Sequence, residues 1–254
     1  MKRWLGLTLL ILLAGCKNGV LEDPNDPKTA GVMAPDVLRR QLKGTSDMLM
    51  ERVTKGELSD AQFKELIAKR ANELLDDLPI ERIDVARAWE YGEVLRTAER
   101  WKQAKALFKI AVDEAVKSKN EDRRINDTLR LAHVEAKLGE VPQAIKDAQF
   151  AFNAKPDASA PILPAVLLEI VPAARGKGHD PELAALLEKA IAKHMATIVD
   201  PTNESGAVFL MARSHHVRNA WATIIELYAK SGMDKEAREA VAKREASLSA
   251  MRRV

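Results

Sequence analysis

From Asp36 almost to the end of the chain, apolar residues recur at helical spacing, and no stretch sustains the alternation of period two that a half-buried strand needs. The pattern therefore predicts an all-α protein. Its breaks are legible. Lys55-Gly56 closes a first helix, and Ser59 can cap the next, with Leu58 and Phe63 bracketing that start. Asp76-Asp77-Leu78-Pro79 ends the second helix. Gly139, Pro156, Gly176 to Gly178, Pro201 and Gly232 punctuate the remainder, with Pro161 to Arg175 and Pro181 to Ile198 expected as two further helices. The organisation that follows is a leader over residues 1–15, a tether over 16–35, a helical hairpin over 36–83 and a longer helical array over 84–254.

Within that array the spacing repeats. Gly92, Leu95, Ala104, Phe108 and Ala111 are separated by 3, 9, 4 and 3 residues. Ala132, Ala144, Ala148, Ala151 and Pro156 follow with intervals of 12, 4, 3 and 5. The interval from Ile225 to Ala237 is again 12, and from Ala237 to Val241 again 4. Two antiparallel helices that cross tightly need such spacing, with small residues where the backbones approach and larger apolar ones between pairs. These residues resemble the tetratricopeptide repeat over roughly residues 84–118, 125–157 and 217–248. Three departures stand out: Val116 occupies the place of a closing proline, Glu135 that of an aromatic or leucine, and Gly92 lies 40 residues before Ala132 rather than the usual 34 or so.

The resemblance implies a right-handed superhelical array of antiparallel helix pairs, in which the first helix of each pair lines a groove for a protein or peptide partner. Carried across by position, that groove is lined by Trp89, Glu93 and Arg96, then by Asn126, Leu129, Arg130, His133 and Lys137, with Asn219, Glu226 and Lys230 from the last copy. Some family members clamp a terminal carboxylate. Asn126 and Arg130 match two places of that clamp in type, whereas Trp89 and Glu93 stand where its lysine and asparagine belong. Trp89 then either anchors an apolar partner side chain or packs against the preceding helix.

The first sixteen residues carry a different signal. Lys2 and Arg3 precede an apolar run from Trp4 to Ala14, and Leu13-Ala14-Gly15 leads into Cys16, the one cysteine of the chain. The run spans roughly 16 Å as a helix at about 1.5 Å per residue, too short for a hydrocarbon core of about 30 Å. This order matches a secretory signal, and its end resembles the lipobox of bacterial lipoproteins. The resemblance implies cleavage before Cys16 and acylation of its thiol, which anchors the protein to a bilayer in the cell envelope. Where there are two membranes, Lys17 lacks the aspartate that commonly retains such proteins inside, and the periplasmic face of the outer membrane is expected. Lys17 to Pro35, with Pro24, Pro27, Pro35, Gly19 and Gly31, reads as a flexible tether.

Composition narrows the chemistry. Lys2 and Arg3 supply two of the formal charges behind a net +3, so the rest is nearly balanced and nothing points to nucleic acid. A lone cysteine pairs with nothing inside the chain. His215 and His216 are adjacent, so on a helix they diverge by about 100° and cannot share one metal, while His133 and His194 lack a ligand one turn away. Gly176-Lys177-Gly178 follows no strand and so lacks the setting of a phosphate loop. No cofactor or metal is expected, and no catalytic residues. Trp101, Phe108, Phe150 and Tyr228 are expected in the core. Gly56 to Leu75 loosely resembles a two-helix oligomerisation module of bacterial proteins, against an ordinary hairpin. The functional expectation is an envelope adaptor for protein partners. Alternatives are a subunit of an outer-membrane assembly or secretion complex, and an envelope enzyme or ligand-binding protein with its site between helices.

Overall fold

The computed structural model describes residues 32–76, 78–153 and 161–251. Residues 1–31, and with them Cys16 and most of the expected tether, lie outside the described residues, as does Pro156. The protein is all-helical: among the described residues there are ten helices, packed in pairs, and no strands. They are α1 (Pro35–Thr54), α2 (Asp60–Leu75), α3 (Ala88–Thr97), α4 (Trp101–Lys117), α5 (Glu121–Lys137), α6 (Val141–Phe150), α7, α8 (Asp180–Met195), α9 (Glu204–Lys230) and α10 (Asp234–Met251). Helix α7 joins Ile162–Ala165, the π-helical turn Val166–Ile170 and Val171–Ala174 without a break.

Local chemistry sets the ends. At α2 the Ser59 hydroxyl accepts from the Gln62 N–H at 3.3 Å while the Gln62 amide oxygen accepts from the Ser59 N–H at 2.9 Å, a reciprocal capping box. Asn120 and Asn203 cap α5 and α9 through their side-chain oxygens. Gly139 and Gly232 end α5 and α9 at φ of 84° and 71°, a conformation that costs other residues a steric clash at Cβ.

The chain forms two compact units, Met1–Ile110 and Ala111–Val254. Within the first unit α3 packs on both α1 and α2. In the first unit Leu38, Leu42, Leu75, Val94, Leu95 and Phe108 form the core. Gly92 lets α3 approach α4: a Cβ there would stand 2.8 Å from the Phe108 ring. Tyr91 donates to the Met33 carbonyl at 2.9 Å, and burial pushes its phenol up to about 12. Asn72 donates to the Ala98 carbonyl and accepts from Arg100, both under 3.0 Å, tying α2 to the turn between α3 and α4.

In the second unit Ala132, Ala144 and Ala148 are fully buried in the α5–α6 pair, which brings the two backbones close. Leu163, Val166, Ile170, Leu183, Leu186, Leu187 and Ile224 extend that core through α7, α8 and α9. Two aromatic residues differ from expectation. Trp101 and Phe150 are half-buried rather than core: Trp101 opens α4, and Phe150 gives one ring face to a cleft.

Candidate functional site: the cleft beside helices α5 and α6

The residues expected to line a groove have varied surroundings. In the first unit, Trp89 is half-buried with the Arg39 guanidinium 5.3 Å from its ring centroid, an arrangement in which the cation rests on the ring face. Arg39 also bonds Glu90 at 3.0 Å, and Glu90 takes a second guanidinium, Arg87, at 2.9 Å. Glu93 and Arg96 pair at 2.8 Å, both half-buried.

In the second unit Leu129 is 4% exposed and belongs to the core. Arg130 is turned onto Asp127, which is wholly buried and also receives Arg123, at 2.8 and 3.3 Å respectively. Burial raises the Asp127 carboxyl and the two guanidiniums only partly offset it. His133, 8% exposed, meets Glu169 of α7 at 3.5 Å, a partner that no one-turn spacing on α5 could reveal. Asn126 donates to the Asp122 carbonyl, and Lys137 is exposed at the end of α5. Asn219 lies against His215 at 2.9 Å, and Glu226 pairs with Lys230 at 2.6 Å.

A different face of α5 opens onto an open cleft of about 430 Å³. Arg124, Thr128 and Leu131 line it from α5, Lys146, Asp147, Gln149 and Phe150 from α6, together with Val112 and Asn153. The Arg124 guanidinium lies 4.2 Å from the Phe150 ring centroid and 3.1 Å from Glu121. Asp147 accepts from Gln143 at 2.9 Å. The cleft thus offers an aromatic plate held under a guanidinium that is itself paired with Glu121, Lys146 and Asp147 of opposite charge, and apolar surface from Val112 and Leu131.

None of these cleft residues follows from the repeat resemblance, which selects other positions on α5. The hairpin itself carried the signal. A turn at Leu138–Gly139 brings Arg124 and Phe150, at comparable distances from it, to the same end of the α5–α6 pair. Among the described residues no helix is long and apolar enough to cross a membrane, and no three His, Cys, Asp or Glu side chains gather as a metal site requires. The chain matches no family model, and no curated protein or solved structure is significantly similar to it.

Proposed function

We propose that this chain is a lipid-anchored adaptor of the cell envelope, in which tetratricopeptide-like helix pairs hold protein partners and the acyl chains on Cys16 hold the adaptor to the bilayer. The observation that carries the binding half is the cleft on α5 and α6. It is open, it sets an aromatic face beside charges of both signs, and it sits on a pair whose buried alanines match the small-residue spacing that the resemblance implies. The anchoring half rests on the charged start, the short apolar run and the Leu-Ala-Gly-Cys ending.

The test takes the tagged full-length protein from gently solubilised membranes, beside an Arg124→Ala, Phe150→Ala variant. Both residues are half-buried, so the fold should survive, which circular dichroism checks. Loss of a central aromatic and its cation should weaken a stoichiometric partner at least about thirtyfold, the equivalent of about 2 kcal/mol. A partner held equally by the variant moves the binding surface elsewhere, and no partner at all removes the adaptor reading. Arg130 makes a poor probe because it is tied to the buried Asp127.

Cys16→Ser tests the anchor in the same preparation. Stable attachment needs at least two hydrophobic signals, a single chain giving an association constant of only about 10⁴ M⁻¹. The serine variant should therefore leave the membrane fraction almost entirely. If it stays there, something other than the cysteine holds it.

A further inference from the structure

The first half of α9 is built inside out. Phe209, Arg213 and His216 recur at helical spacing on the side turned toward α8, where they meet His194 near its end. The His194 ring lies 4.5 Å from that of Phe209 and 5.9 Å from that of His216, and Arg213 rests 4.9 Å over Phe209. The opposite side presents Val208 and Met211, 58% and 81% exposed. A half-covered helix ordinarily turns its apolar stripe inward. Beyond Val217 the same helix does so, burying Val217, Ala220, Trp221, Ile224 and Leu227.

The buried polar side is poorly satisfied. His194 Nε2, Arg213 Nε and His216 Nδ1 are all buried and make no hydrogen bond. Arg213 is held at its tip, donating from Nη2 to the Thr197 carbonyl at 2.8 Å. The charged groups around His194 are cationic or potentially so: Arg213 and His216 from α9, and Lys193 beside it in the chain. Among the described residues no carboxylate belongs to the charged groups that act on His194 or His216. In the loop before α9 Asp200 accepts from Thr202 at 2.8 Å, and Glu204 at the start of α9 is exposed. Asp147 of α6 faces the α5 cleft, Glu169 of α7 faces His133, and Glu188 of α8 itself takes Lys243 of α10 at 2.7 Å.

We infer that this contact is an acid-sensitive latch: when His194 and His216 each take a proton from solvent, three cations share one buried cluster with no carboxylate, and the α9 segment before Val217 is released from α8. The released segment frees the orphaned nitrogens to water. It stops where apolar burial of α9 begins. Burial first, then His216 and Arg213, hold the His194 imidazole down to about 4, and burial followed by His215 lowers His216. The sign follows. The released state binds the His194 proton near its ordinary 6.5, the latched state only near 4, so latching is complete above about 6.5 and lost as pH falls toward 4.

Amide hydrogen exchange on the full-length protein tests this, with rates corrected for their intrinsic pH dependence. Between pH 7.5 and 5, peptides from residues 204–216 should lose protection about thirtyfold from His194 alone, while those from 217–230 hold theirs. A His194→Phe, His216→Leu variant should remove the loss. Uniform loss across α8, α9 and α10, or loss unchanged in the variant, overturns the latch. Should the variant not fold, the wild type decides: the protection midpoint must track the titration of the two imidazole ring protons, and a midpoint independent of them overturns the proposal.

Discussion

Replacing Phe108 with alanine is expected to cost about 3–5 kcal/mol, the usual penalty for emptying a fully buried aromatic site. Phe108 is 0% exposed, and its ring fills the space that Gly92 leaves open between α3 and α4. Nothing flexible lies between them. The converse change, Gly92→Ala, drives a methyl to 2.8 Å from the ring and should cost about 1–3 kcal/mol by overpacking. The combination separates this account from a general loss of helix contact. In the double variant the new methyl occupies part of the emptied site, so the two penalties should sum to more than the double variant loses. Urea denaturation of the four proteins measures it. Strict additivity within about 0.5 kcal/mol would show that the two residues do not share the space.

The second large effect is an asymmetry around Asp127. Its carboxylate is 0% exposed, while Arg123 and Arg130 keep 24% and 29% of their side-chain surface in water. Removing the acid therefore leaves two cations that water still reaches. Removing a cation leaves a buried anion with less to compensate it. Arg130→Met should cost about 1–3 kcal/mol, whereas Asp127→Asn should change stability by less than about 1 kcal/mol. Because burial raises the Asp127 carboxyl above its ordinary value, its folded form gains protons before the unfolded one does. This group therefore adds stability as pH falls, opposite in sign to His194. Thermal unfolding of both variants at pH 7 ranks them, and equal losses would contradict the burial account.

How much of this was legible without coordinates depended on whether the cause was local. The capping box at Ser59, the left-handed Gly139 and Gly232 and the ends of α1 and α2 all follow from a few neighbouring residues, and the helical period was enough for the all-α class. The repeat intervals located residues that the structure buries, among them Ala104, Phe108, Ala132, Ala144 and Ala148. Side-chain surroundings were another matter. Leu129 and Arg130 sit side by side on α5, yet one enters the core and the other closes on a buried acid. Arg130 finds its acid within α5, three residues back, while the burial of Leu129 is supplied by the helices packed on α5. The pairing of His133 with Glu169 and the convergence of His194 with His216 span 36 and 22 residues, beyond the reach of any one-turn rule. The candidate groove and the cleft thus share a helix but not a face.

The π turn in α7 has a consequence of its own. Buried residues there come as Ile162 and Leu163, Val166 and Leu167, Ile170 and Val171, a step of four, and then as Ala173 and Ala174, a step of three. An α-helix turns by about 400° over four residues, so such a stripe drifts by about 40° at each step. The wider turn at Val166–Ile170, with about 4.4 residues per turn, takes up that drift and keeps the whole stripe aimed at one core. This helix therefore reads its sequence in phase, as a vernier does. A substitution on the stripe alters one contact, and deleting a single residue from the wide turn lets it close to an ordinary α turn, since five residues at about 4.4 per turn and four at about 3.6 both rotate by about 400°. Inserting a further residue, with no wide turn left to absorb it, rotates everything after it by about 100°. Val171 and Ala174 would leave the core together, without either having been changed.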